Sequence, residues 1–287
     1  MAAIQAAATQ LIDGMPAHRV ITELRRTYTT LASLSCTMTA VRKAVVARGH
    51  TPPEDFKLSR RDTLSLKRKH DEALVKKNEH LILVPDFAHL LRTAIDTLRT
   101  ATPASSYSKL ILPLLLVSGR RLTEICSPRS VFMPMPHTHH ACFTGVLKKR
   151  RDDHTMVIPL LCEYSTFATG LLALRQKQGP AIALLSNREI KTRYQFMVQR
   201  DLAQRDALPR APANIHIHDL RSVYLAAVYE LYDSPYTLAR TGMLCLGHET
   251  LAEHLSYCNA RLQGVDGLKG SLGPLDVPAL GSGVGGG

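Results

Sequence analysis

The sequence predicts a mainly α chain with a small antiparallel β-hairpin sheet, an α+β fold in which a helical amino-terminal domain precedes a larger, mostly helical one. Three observations lead there. Apolar residues recur at helical spacing over most of the 287 residues. That rhythm is interrupted by two strand-like runs, Ala141 to Leu147 and Thr155 to Leu161, on either side of a charged segment. The charge balance also shifts near residue 80, which favours two modest domains over one large one.

Residues 1–80 are expected to form a helical, basic, DNA-binding domain. They hold 14 Lys or Arg against 8 Asp or Glu, so half of the net charge of +12 sits in under a third of the chain. One helix is expected from Val20 to Leu34 and another from Thr37 to Arg48, where Gly49 and Pro52-Pro53 stop it. Arg42, Lys43 and Arg48 accompany Val41, Val45 and Val46, so one face can pack while the other meets phosphate. Lys57 to Lys77 is a second basic stretch, with Lys67, Arg68 and Lys69 at its centre. A solvated helix face accounts for such a run as well as a nucleic-acid contact does.

A second domain is expected over residues 81–263. Pro85-Asp86 reads as a helix start, with Phe87, Leu90, Leu91, Ala94, Ile95 and Leu98 at helical spacing behind it. Ser105 to Val117 should be a buried helix delivering Gly119-Arg120-Arg121, with Pro113 in its first turn or at a kink. The two strand-like runs then form a hairpin whose basic tip carries Lys148, Lys149 and Arg150. Helical stripes resume at Phe167, Leu171 and Leu174, at Ile190, Tyr194, Met197 and Val198, and at Tyr224, Val228 and Leu231. Residues 264–287, rich in Gly and Pro, are expected to be a flexible tail.

Composition narrows the function. The basic excess, with an isoelectric point near 9.6, fits a polyanionic partner better than a small neutral substrate. Cys36, Cys126, Cys142, Cys162, Cys245 and Cys258 form no Cys-x-x-Cys pair and read as reduced thiols of an intracellular protein. The start, Met1-Ala-Ala-Ile, lacks a secretory pattern, and no apolar run reaches the roughly 18 residues of a membrane span. The expected location is cytoplasmic, or nuclear in a eukaryotic host. His137, His139, His140 and Cys142 gather ligand types, but their spacing fits no familiar four-ligand zinc pattern and reads as a polar loop. His248-Glu249 is followed by Ala252 where a metalloprotease needs histidine. No cofactor and no metal are expected.

Five elements carry chemistry, in this order: Gly119 to Glu124 (Gly-Arg-Arg-Leu-Thr-Glu), Lys148 with Lys149, His218-Asp-Leu-Arg221, Leu246-Gly-His248, and Tyr257. Such a set suits an enzyme that attacks a DNA phosphodiester with a phenol. A tyrosine of ordinary pKa, near ~10, is ionised about one part in a thousand at pH 7, so its use needs proton management and charge stabilisation. Arg121 and Arg221 can fork onto non-bridging oxygens of one phosphate and keep their charge through the five-coordinate transition state. His218 and His248 can bond the phosphate or exchange a proton with the phenol, and Lys148 on the hairpin can protonate the departing 5′-oxygen.

This constellation resembles the tyrosine recombinase and type IB topoisomerase superfamily from about residue 81 to 262. Within it the chain is most similar to telomere resolvases, also called protelomerases. The narrower resemblance rests on Val117-Ser-Gly-Arg-Arg-Leu-Thr-Glu-Ile125, Phe143-Thr-Gly-Val-Leu-Lys148, the Ile158-Pro-Leu-Leu-Cys162 strand before a Leu-Leu-Ala-Leu-Arg helix, the 221–232 segment, Leu246-Gly-His-Glu249 and Leu255-Ser-Tyr257.

The resemblance implies a tyrosine recombinase-like catalytic domain behind a helical DNA-clamping domain. Arg121 and Arg221 would bind the scissile phosphate, Lys148 would be the general acid, His218 and His248 would complete the pocket, and Tyr257 would form a 3′-phosphotyrosyl bond. Lys149 is the alternative acid, since a one-residue shift turns a strand side chain to the other face. Arg120 is expected to be structural or a flanking DNA contact.

The implied partner is double-stranded DNA with a palindromic target, bound by a homodimer, with covalently closed hairpin ends as product. The chain is shorter than most telomere resolvases, which leaves target specificity open. The sequence leaves two rivals: a site-specific recombinase or integrase with the same pocket, and a non-catalytic DNA-binding protein that kept the fold.

Overall fold

In a computed structural model, residues 2–145, 155–247, 257–275 and 277 are described, and they fall within two compact units, residues 1–76 and 77–287. Lys148, Lys149, Arg150 and His248 lie outside the described residues.

The first unit is built from α1 (Ala2–Ile12), α2 (Ala17–Thr27), α3 (Leu31–Ala47) and the start of α4 (Arg60–Glu79). Its core comes from one stripe of each of the first three helices: Ala8 and Leu11, Val20 and Leu24, then Leu34, Met38, Val41 and Val45, closed by Phe56. The helix expected from Val20 to Leu34 is instead two. Thr30 accepts a hydrogen bond from the Ser33 backbone N–H and caps α3, so the hydroxyl competes with helix continuation after two successive β-branched residues. Apolar spacing that happened to run through the break hid it.

The basic residues of this unit behave differently from one another. Arg42 donates to the Phe56 carbonyl and Arg48 reaches Thr9 (2.7 Å) and Gln5 (2.5 Å), so both fasten the unit to itself. Lys43 is exposed. On α4, Lys67, Arg68 and Lys69 are exposed, with Arg68 3.5 Å from Glu72 one turn on. No described side chain of α4 is buried. With even Leu64 and Val75 exposed, α4 has no buried stripe to hold it, and it is supported by such local pairs and by the Arg25–Asp62 ion pair to α2 at 2.5 Å.

In the second unit, β1 (Ile82–Val84) leads into α5 (Phe87–Arg99), whose first turn is capped by the Asp86 carboxylate at 3.2 Å from the His89 N–H. α6 (Tyr107–Ser118) is capped by Ser106 and buried from Leu110 to Ser118. Pro113 sits in the middle of α6, not in the first turn. It forfeits one backbone hydrogen bond at a cost of about 3 kcal/mol. The apolar side chains around it, from Leu110 to Val117, are at most 2% exposed, and at ~1.5–3 kcal/mol apiece their burial outweighs that cost. After α7 (Leu122–Cys126) come three antiparallel strands, β2 (Val131–Pro134), β3 (His140–Thr144) and β4 (Thr155–Pro159), in the order β2-β3-β4. The β3–β4 pair is the expected hairpin, in the register Cys142↔Val157. β2 was not expected, because Val131 and Met133 face solvent and only Phe132 of its side chains is buried.

α8 (Tyr164–Gln178), α9 (Asn187–Ala203), α10 (Leu220–Leu231) and α11 (Leu238–Leu246) follow, and β5 (Ala260–Leu262) pairs in parallel with β1. One core runs through all of these elements. Tyr224 and Tyr232 are buried in it, and their hydroxyls donate to the Pro159 carbonyl and to those of His139 and Leu160. His140 and Cys142, read as part of a polar loop, lie in β3, and His140 is buried.

The segment from residue 264 was expected to be a mobile tail. Its described part packs instead: Val265, Leu275 and Val277 are at most 7% exposed, and Pro274 bridges Asp233. Isolated apolar residues spaced along a Gly-rich segment give no periodic signal, yet each can fill a place in a core built by other elements.

Candidate active site

The site begins with a turn. Gly119 ends α6 in the left-handed region (φ 61°, ψ 16°), where only glycine sits without strain. It must also be bare of a side chain, because a Cβ there would overlap the Tyr224 ring. This turn sends Arg120 and Arg121 in different directions.

Arg120 points inward. It is 1% exposed, and its guanidinium donates to the Cys245 and Ser118 carbonyls, meets the Met156 sulfur and lies 5.3 Å from the centroid of the Phe143 ring. It stitches α6, β3, β4 and α11 together, a structural role and the first of the two expected for it, and it also borders the cleft that Arg121 lines.

Arg121 opens α7 and points to a cleft of about 620 Å³ that Arg221 and His218 also line. Glu124 holds it there, accepting from the Arg121 backbone N–H and from its guanidinium, both at 2.8 Å. Glu124 has no exposed surface. Burial alone would raise its carboxyl pKa, but Arg120, Arg221 and Arg121 outweigh that and hold it below the usual carboxylate range. Three guanidiniums around one carboxylate leave a local net charge of about +2, and Arg121 and Arg221 present it to the cleft, a place for an anion.

Arg221 enters from the first turn of α10, 2% exposed, and donates to the Gly119 carbonyl at 2.5 Å. The α6 turn therefore fixes both arginines. Burial, followed by the neighbouring Arg120 and Arg121, pulls the Arg221 guanidinium down to about 10, so it remains a cation at neutral pH. An incoming phosphate would relieve that repulsion.

His218 sits in the short 3₁₀ turn Ile217–Asp219 just before α10. Gln199 of α9 braces the approach to it, donating to the Ile215 carbonyl (3.2 Å) and accepting from the Ile217 N–H (3.0 Å). His218 Nε2 is 2.9 Å from the Tyr257 hydroxyl, and the Arg221 guanidinium lies 5.1 Å from the centre of the Tyr257 ring. Tyr257 is 7% exposed. Four of the six expected catalytic residues, Arg121, His218, Arg221 and Tyr257, thus converge on one place. The other two, Lys148 and His248, lie outside the described residues.

Sequence reasoning quoted Glu124 in its motif without giving it a task. It also passed over Lys191, Gln195 and His216, which line the same cleft. Glu124 had a signal, three residues after Arg121 in the spacing of a capping carboxylate. The α9 residues had none, since exposed polar positions on a helix look alike in sequence.

Known proteins place the chain further. A sequence model of the telomere resolvase ResT/TelK catalytic domain matches residues 80–259. Among solved structures, protelomerase TelA "covalently complexed with substrate DNA" superposes with a TM-score of 0.73 at 18% identity, covering 90% of this chain and 87% of that one. A TelA mutant "complexed with DNA hairpin product" gives 0.71 at 19% identity with the same coverage. "Protelomerase TelK complexed with substrate DNA" gives 0.58 at 16% identity, over 90% of this chain and 58% of that one. No curated protein matches the chain.

Proposed function

We infer the function from one premise: the chain belongs to the telomere resolvase family, of the ResT/TelK catalytic-domain type. It is a DNA breaking and rejoining enzyme. The reaction is telomere resolution, in which a duplex is cut through a phosphotyrosyl link and rejoined as covalently closed hairpin ends. The residue roles rest on the 2.9 Å contact between the Tyr257 hydroxyl and His218, beside the Arg221 guanidinium.

Arg121 and Arg221 bind the non-bridging oxygens of the scissile phosphate. The Tyr257 oxygen attacks phosphorus, and its proton leaves toward His218 Nε2. The new bond is tyrosyl O–P, on the 3′ side of the break, and the P–O5′ bond is lost. Lys148 supplies the proton that the 5′-oxygen needs, with Lys149 the alternative donor, and His248 bonds the phosphate. Rejoining runs the same steps backward with the 5′-hydroxyl of the opposite strand as nucleophile. No outside energy is required, because the phosphotyrosyl bond conserves that of the phosphodiester. A homodimer on a palindromic site supplies two such pockets, one per strand, and the first unit holds the duplex through α4 and Lys43.

Incubation with a plasmid carrying an inverted-repeat target tests the reading. Linear DNA with hairpin ends, which rapidly renatures after denaturation, is the expected product. Exchange between two sites without hairpins would assign the chain to recombination instead.

A further inference from the structure

The nucleophile is held from its carboxyl side by a very short ladder. Tyr257 stands three residues before β5, and β5 meets β1 over three pairs only, Ile82↔Ala260, Leu83↔Arg261 and Val84↔Leu262. Parallel pairing this short specifies its register weakly. A slip of one residue would carry the chain by ~3.3 Å, farther than the 2.9 Å that joins the Tyr257 hydroxyl to His218.

Two devices oppose the slip. At the near end, Asn259 is 3% exposed, its Nδ2 donates to the His80 carbonyl at 3.0 Å, and its own carbonyl accepts from the Ile82 N–H at 2.7 Å. At the far end, the Gln263 N–H donates to the Val84 carbonyl at 2.9 Å, and the Gln263 carbonyl accepts from the Phe87 N–H at 3.1 Å. Of these four bonds only the one from Asn259 Nδ2 comes from a side chain, and it is made in one register only, since a shift removes the His80 carbonyl from reach.

We propose that Asn259 is a positioning residue for strand cleavage: its bond to His80 sets the register of β5 on β1 and thereby the place of the Tyr257 hydroxyl. This rests on Tyr257 being the nucleophile. Its loss is expected to act on the rate of attack and to leave DNA affinity alone.

The test compares single-turnover formation of the protein–DNA adduct, DNA affinity and thermal stability in Asn259→Asp, Gln263→Pro and Tyr257→Phe. Asn259→Asp keeps the shape but turns the donor into an acceptor facing a carbonyl; Gln263→Pro deletes the far ladder bond at an exposed position. Both are expected to slow attack roughly 10- to 100-fold, the scale of an ångström-sized misplacement, with affinity within about twofold of the parent. The Asn259→Asp deficit should shrink as pH falls from about 8 to about 6, because a buried carboxyl protonates readily and regains a donor. A merely structural role would lower affinity and stability and show no such recovery, which would overturn the proposal. So would Asn259→Asp forming adduct at the parent rate. If Asn259→Asp does not fold, Asn259→Ser, which removes the amide donor without placing a charge there, is measured in its place, and a parent rate there overturns the proposal. An adduct that persists in Tyr257→Phe would overturn the premise instead and is read separately.

Discussion

At the scale of single residues, the site holds a few side chains whose charges constrain one another. Arg221→Lys keeps a positive charge but loses the planar fork, and should slow cleavage by about 10²–10³, the usual consequence of removing one donor aimed at the transition state. Single-turnover rates at saturating DNA measure it, and a loss confined to affinity would speak against a transition-state role. Glu124 carries a different burden. With its carboxyl held below its ordinary value of 4.5 by three guanidiniums, it contributes stability above that pH, and the contribution is lost as pH falls through its folded value. Glu124→Gln leaves those cations without their counter-ion and should cost about 3–5 kcal/mol at neutral pH. It should also flatten the fall in stability on the acid side. Urea unfolding between neutral and acid pH reads both effects.

At the scale of elements, the clearest expectation concerns the α6 turn. Gly119→Ala meets two obstacles, a left-handed φ of 61° and the Tyr224 ring. Backbone strain of about 1–2 kcal/mol adds to overpacking of about 1–3 kcal/mol. Since the Gly119 carbonyl also holds Arg221, activity should fall along with the melting temperature. This element was legible in the sequence only in company: an Arg-Arg after an apolar helix is usually a surface pair, and the order of the later motifs gave it weight. The hairpin, α5 and the helical stripes of α8 to α10 were legible because each buries a regular face. What escaped were features without periodicity. The Thr30 cap split a helix whose apolar spacing ran on without interruption. β2 buries one residue of four. The β1–β5 pair joins segments almost the whole second unit apart, and nothing local in either marks a partner. The packing of Val265, Leu275 and Val277 depends on a surface that other elements make.

At the scale of the whole molecule, the net charge of +12 directs the chain to DNA while the site decides what happens there. The four converging residues proposed as catalytic were readable because the chemistry limits their types and the family resemblance supplied their order, whereas the cleft residues on α9 emerged only from the fold. Binding should weaken linearly in log–log form with salt, by about −0.9 for each phosphate neutralised. Replacing Lys67, Arg68 and Lys69 with glutamine should reduce that slope by up to about 3. A salt titration of duplex affinity decides whether α4 touches the backbone; an unchanged slope would make it a solvated helix.

The central claim is that the Tyr257 oxygen becomes bonded to a DNA 3′-phosphate. Trapping the protein on a substrate whose 5′-oxygen cannot re-attack, digesting the adduct and mapping the modified residue by mass spectrometry tests it directly. The account requires a phosphonucleotide on Tyr257 with a free 5′-hydroxyl on the released strand. A modified residue elsewhere, or a 5′-phosphate left on the protein, would contradict it.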